Sequence, residues 1–252
     1  MVQGSLTTIG SSTDTTIKSG EFMCIIVRSC PLLESVSLPA TPHTMDDTVF
    51  TELGNRRYLR SLCIQDDGCL VTPRGFSELF KSTTSLEHFA IITTKNALTP
   101  GMITDDHLTA ISTYQKLKRL NITNAKQLTR KGLNMLVTGM RNSNLEHLRL
   151  HNIRCITSTW IEDLASIRKL AVLDLNIPPG SPHLDRTSAV HSLFDKRVDR
   201  AHTLCVKIAM AAGGIWPVSD SVMFFSDSYK SSMANQMLAL MNSFQHRYNM
   251  AP

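Results

Sequence analysis

Aromatic residues make up only 6% of this 252-residue chain, and nothing in their placement suggests a platform on which bases could stack. That weighs against a nucleic-acid partner. The excess of positive charge is small as well. A formal net charge of +5 permits a partly acidic partner but falls short of a dense basic footprint. There is no C-x-x-C, so neither a zinc ribbon nor a thioredoxin motif is present. Six cysteines at positions 24, 30, 63, 69, 155 and 205 read as reduced, mostly buried thiols of an intracellular protein, cytoplasmic or nuclear.

Catalytic signatures are missing too. The chain has no G-x-S-x-G elbow, P-loop, H-E-x-x-H or G-x-G-x-x-G, and Gly213-Gly214 is too little to cradle a phosphate. His88, His147 and His151 could meet in space, but no carboxylate or cysteine clusters with them at ligand spacing. No enzyme, metal or cofactor is expected. The first residues lack a basic stretch followed by an apolar run, so they are not a secretory signal. The most apolar C-terminal stretch, residues 204–216, is too short to span a bilayer and contains Lys207. No membrane association is expected.

What is there is a repeat. The phrase L-x-x-L-x-L appears as Leu33/Val36/Leu38, Leu59/Leu62/Ile64, Leu86/Phe89/Ile91, Leu117/Leu120/Ile122, Leu145/Leu148/Leu150 and Leu170/Leu173/Leu175. The first positions are 26, 27, 31, 28 and 25 residues apart. A period in this range marks a solenoid and matches leucine-rich repeats. One strand and one helix cannot bury their own apolar faces, so each unit must stack on its neighbours.

The intervening segments share a second phrase, apolar-Thr-x-x-x-apolar-x-x-apolar. It occurs at residues 71–80, 103–112, 128–137 and 156–165. Thr72, Thr104, Thr129 and Thr157 are expected to be N-caps, because a threonine hydroxyl can accept from an orphan N–H of the first helical turn. Pro73 then falls at the first helical position, where its missing N–H costs nothing. Asp105 and Asp106 fall in a first turn, where the helix dipole favours negative charge.

The residues at 122–137 and 27–38 resemble the cysteine-containing subclass of leucine-rich repeats, with its C-P-x-L-x-x-L-x-L junction at "CPLLESVSL". The inter-strand cysteine of that pattern is replaced by Ala125 and Ile153. Such repeats are common in F-box proteins, the substrate-recognition subunits of cullin-RING ubiquitin ligases. The resemblance implies a protein-binding module, and most specifically substrate recognition in such a ligase. No F-box is recognisable, so a ubiquitin-ligase adaptor would have to bind through a region not visible in this chain. The competing expectation is a scaffold or assembly subunit with no link to ubiquitin.

The expected fold is a curved α/β leucine-rich-repeat solenoid, its parallel sheet on the concave face and its helices on the convex face. It covers residues 17–182. Residues 1–16 would be a tail or a worn terminal strand, and residues 183–252 a helical or mixed cap. The segment at 17–26 fits the helix phrase through Ile17, Phe22, Ile25 and Ile26, without the threonine. Residues 184–197 can form a further helix and 201–208 a weak further strand. Residues 226–247 place Met233, Met237, Leu240, Met241 and Phe244 on one helical face. The start of the repeat without a visible cap suggests a chain cut from, or diverged from, a longer protein.

Side chains alternate along a strand. The leucines therefore point inward, and positions 3 and 5 of each phrase point to the concave face. His88, Arg119 and His147 should form one row. Asn121, Arg149 and Asp174 should form the next, with His151 at the rim. The first repeats put small neutral residues there, and the later ones a cationic cluster. These seven residues are the candidate partner-binding set, suited to an acidic or phosphorylated protein segment. Arg149 can also pair with Asp174. Unperturbed imidazoles, with a pKa of about 6.5, would make binding tighter near pH 6 than near pH 8.

Overall fold

The computed structural model describes residues 20–41, 44–66, 71–93, 103–178, 185–197, 204–210 and 220–225. Helices and strands alternate along it. The helices are α1 (Glu21–Ser29), α2 (Asp47–Gly54), α3 (Pro73–Ser82), α4 (Asp105–Ser112), α5 (Arg130–Met140), α6 (Ser158–Asp163) and α7 (Arg186–Lys196). The strands are β1 (Ser35–Ala40), β2 (Ser61–Asp66), β3 (His88–Thr93), β4 (Arg119–Thr123), β5 (His147–His151), β6 (Val172–Ile177), β7 (Cys205–Met210) and β8 (Asp220–Phe225). All eight strands form one open sheet in chain order, β1 to β7 parallel and β8 antiparallel to β7. The chain is an α/β solenoid.

The six leucine phrases coincide with β1 to β6, and equivalent positions pair without slippage, as in Leu62↔Phe89↔Leu120↔Leu148↔Leu173. These side chains are almost wholly buried, whereas Leu33 and Val36 at the first strand are only partly covered. The core changes character along the stack. Towards the N-terminus it is aromatic: Phe76 lies 5.0 Å from Phe50, 5.8 Å from Phe89 and 4.8 Å from the His107 ring, centre to centre. From β4 onward it is aliphatic, with Trp160 as the exception. Burying each such side chain contributes about 1.5–3 kcal/mol before chain entropy is counted.

The threonine caps take part in contacts between helices. Thr72, Thr129 and Thr157 each accept a backbone N–H of the turn that follows. Thr72 also donates its N–H (2.7 Å) and hydroxyl (2.6 Å) to the two oxygens of Asp47, the first residue of α2. Thr129 does the same to Asp105, the first residue of α4, at 2.9 and 2.5 Å. Each carboxylate thus sits at the positive end of one helix and holds the next. The third residue of the held helix is glycine in both cases. A Cβ on Gly75 would lie 2.3 Å from Asp47 Oδ1, and one on Gly132 would lie 2.2 Å from Asp105 Oδ1.

Where the preceding helix begins with Pro73, no carboxylate is available at that position. The third residue of α4 is then His107, whose Nδ1 lies 2.8 Å from Thr104 Oγ1 and whose Nε2 lies 3.3 Å from the Val71 carbonyl. Burial, partly offset by the Val71 contact and by Asp106, Asp47 and Asp66, holds this imidazole below its usual pKa. It is therefore neutral at physiological pH.

A second row fixes the strand ends. Thr93 Oγ1 donates to buried Asp66 (3.1 Å), Asn124 Nδ2 to the Thr93 carbonyl, and Asn152 Nδ2 to Asn124 Oδ1 (2.6 Å). Asn124 and Asn152 have φ of 58° and 59°, the left-handed region that asparagine tolerates better than most residues.

Two expectations need correction. Helix α1 turns a different face inward from the one its sequence suggests: Cys24 and Val27 are buried, while Phe22 and Ile25 are about half exposed, at 45% and 53%. The helix is capped at Gly20 (φ 82°), two residues later than the threonine phrase would place it, and the phase moves accordingly. Helix α2 is absent from the sequence expectation because Asp46, not threonine, caps it, accepting from the N–H of Thr48 and Val49. Strand β8 is likewise an addition. The expected tail or strand at 1–16 and helix at 226–247 lie outside the described residues.

Candidate docking trough on the sheet face

The exposed face of β2 to β6 encloses a trough of about 280 Å³. Its walls are the side chains at positions 3 and 5 of each phrase. His88, Arg119 and His147 are Cα partners on three successive strands, and Ala90, Asn121, Arg149 and Asp174 form the adjoining row. All six polar residues among these line the trough. His151 does not. It stands at the rim, with Nε2 3.2 Å from Asp174 Oδ1. The N-terminal end of the trough is lined by Ser61, Cys63 and Ala90, small residues that leave room.

The two arginines differ. Arg149 Nε donates to Asp174 Oδ2 at 2.9 Å. Asp174 also faces Lys207 on β7, its Cα partner. Its pKa is held below the ordinary carboxylate range mainly by the His151 contact and then by Arg149 and Lys207. Arg149 is the partner that persists at neutral pH, since a guanidinium does not deprotonate in proteins, whereas the His151 contact is ionic only when the ring is protonated. Arg119, by contrast, is exposed and has no carboxylate partner among the described residues.

The row just outside the trough is Glu34, Arg60, Glu87, Lys118 and Glu146, which alternates in sign. Lys118 Nζ lies 3.1 Å from Glu87 Oε1. Such half-exposed contacts contribute about 0–1 kcal/mol each. Among the cations that line the trough, Arg119 is the one without a carboxylate partner among the described residues.

His88 and His147 flank Arg119. Both are held below the usual imidazole range, first by partial burial and then by the Arg119 charge. At neutral pH the row His88–Arg119–His147 therefore carries one positive charge. The sequence expectation of imidazoles titrating near about 6.5 is moved to more acid pH for His88 and His147 by burial and by Arg119.

Lys207 was not visible as a row member because the residue equivalent to the first leucine of its phrase is Thr203. Its signal was the Val206/Ile208 pair, which aligns with Leu173/Leu175. Cys63 and Ala90 are among the small neutral residues that the sequence places on this face in the first repeats. Asn121 Oδ1 is shielded from solvent and has no donor among the described residues. Among the described residues no group of three or more His, Cys, Asp or Glu could hold a metal ion, and no helix is long and apolar enough to cross a membrane. No protein-family model matches this chain, and no curated protein matches it.

Proposed function

We propose that this chain is a protein-binding module whose sheet-face trough docks a segment of another protein through an acidic or phosphorylated group. The observation that carries this reading is Arg119: an exposed guanidinium without a carboxylate partner among the described residues, in a trough about 280 Å³ in volume. A guanidinium presents a planar fork of N–H donors that matches a carboxylate or phosphate. The small residues at the N-terminal end leave space for the apolar side chains that usually accompany such an anchor.

The most specific form of this role is substrate recognition in an F-box-type cullin-RING ubiquitin ligase. It is supported by the leucine-rich-repeat phrases at 27–38 and 122–137, and the adaptor contact would lie in a region not visible in this chain. Quantitative affinity purification of wild type and Arg119→Glu tests both levels. Partners docked in the trough should be lost from the variant, while cullin-RING components should persist in both. A partner set indifferent to Arg119→Glu would place the interface off the sheet face, and absence of cullin-RING components would remove the ligase role.

A further inference from the structure

We propose that His88, Arg119 and His147 form a subsite for one oxyanion, the carboxylate or phosphoryl group of a docked protein segment, and that filling it draws a proton from solvent onto a flanking imidazole. This deepens the docking reading above and rests on it for the source of the anion.

Geometry carries the proposal. The three residues are Cα partners on consecutive parallel strands, and all line the same trough. Equivalent positions on such strands stand roughly 4.8 Å apart, and both imidazoles feel the Arg119 charge, so a group held by the guanidinium lies near the two rings. The neighbouring cation, Arg149, is occupied by Asp174, and in the row outside Lys118 pairs with Glu87. An anion entering the trough thus meets one uncommitted charge, and it lies between two imidazoles.

The charged groups around each ring determine the proton step. His88 feels Arg119 and Lys118 against protonation, and Glu87 and Glu146 in its favour. His147 feels Arg119, His88 and Arg149 against it, and Glu146 in its favour. Burial and Arg119 prevail, and both rings are neutral at neutral pH. An oxyanion seated on Arg119 brings the opposite charge within reach of both, which favours the protonated ring. The proton is released by hydronium or by a buffer acid in the solvent, whose bond to it breaks, and goes to the unprotonated ring nitrogen, where one N–H bond forms. Linkage then requires that the anion bind more tightly as the pH falls.

The test follows the imidazole C–H resonances of wild-type protein titrated with inorganic phosphate and, separately, with acetate, at pH 6 and pH 8. His88 and His147 should shift with saturation, and their titration midpoints should rise. Acetate keeps its single charge at both pH values, so its affinity carries the linkage and should be severalfold higher at pH 6. Arg119→Gln should weaken binding at least about tenfold, equivalent to ~1.4 kcal/mol. The double variant His88→Asn with His147→Asn should keep binding acetate but lose the pH dependence of that binding.

Response to phosphate alone assigns the subsite to a phosphorylated segment, and response to both anions assigns it to acidic side chains as well. No shift with either anion, or the same shift in Arg119→Gln, would overturn the subsite. Undiminished pH dependence in the double-histidine variant would overturn the proton step. The titration needs no partner protein. A positive titration beside a partner set indifferent to Arg119→Glu would therefore refute the docking reading while leaving the subsite in place.

Discussion

On the helix side of the solenoid, Asp105 gives both carboxylate oxygens to Thr129, and Asp47 gives both to Thr72. On the sheet side, Arg119 lies between two neutral imidazoles and has no carboxylate among the described residues. Both sets arise from the same repeat, a few residues apart in each unit. The helix-side groups satisfy one another across successive repeats, so their effect is to hold the stack together. The sheet-side charge is left unmatched, which contributes nothing to the stack and makes it available to a ligand. Polar residues of a repeat can therefore be sorted by whether the next repeat answers them. Substitutions on the two sides should separate accordingly.

The largest effect should come from Leu148, which lies between the two sides. It is 1% exposed, on the inner face of β5, and its neighbour Arg149 faces the trough. Leu148→Ala should cost about 2–5 kcal/mol through lost burial and an unfilled cavity. Arg149→Ala should cost at most about 1 kcal/mol, the value of an exposed pair. Chemical denaturation of the two variants compares them directly. Equal losses would mean that adjacent residues do not face opposite sides of the sheet.

A smaller effect tests the carboxylate latch. In Gly132→Ala the new Cβ would lie 2.2 Å from Asp105 Oδ1 and 2.9 Å from its Cα, so helix α5 must move or the latch must open. Overpacking of this kind costs about 1–3 kcal/mol. Asp105→Ala alone leaves the Thr129 donors without their acceptor. The double variant should lose less than the sum of the two, because the alanine no longer meets a carboxylate. Strict additivity in a denaturation cycle would show that Gly132 and Asp105 do not act through each other.

Much of this arrangement was legible in the sequence, and the parts that were not share a cause. The strand register was legible because a one-residue slip would turn every leucine of a phrase to the wrong side. Thr72, Thr129 and Thr157 were legible as caps because a hydroxyl before a helical phrase has few other uses. Helix α1 was misphased because its cap, Gly20, comes two residues after the threonine position of the phrase, and a glycine cap leaves no side-chain mark. Helix α2 was missed because its carboxylate cap did not fit the threonine phrase. The trough residues could be enumerated from spacing. Their charge states could not, since the neutrality of His88 and His147 depends on burial and on Arg119, which are properties of the stack. The role of Asp105 was only half legible: its place at a helix start was visible, its hold on Thr129 was not.

The smallest effect concerns the junction without a latch carboxylate, between α3 and α4. There His107 lies against Phe76 and takes the position that glycine holds in α3 and α5. Burial depresses its folded-state pKa, whereas in the unfolded chain the imidazole returns to about 6.5. As pH falls below that unfolded value, the unfolded state takes up a proton that the folded state refuses. Stability therefore falls with decreasing pH, and the loss levels off only below the folded-state value. His88 and His147 act in the same direction, more weakly because each is less buried. The Asp174 cluster acts too, but in a lower window, as its carboxylate is protonated. His107→Gln removes one of these contributions. Urea midpoints measured between pH 7.5 and 5.5 (a range around the unperturbed imidazole value of about 6.5) should fall less steeply for this variant than for wild type. Parallel profiles would mean that His107 is protonated as readily in the folded protein as in the unfolded chain, and that the α3–α4 junction is held by packing alone.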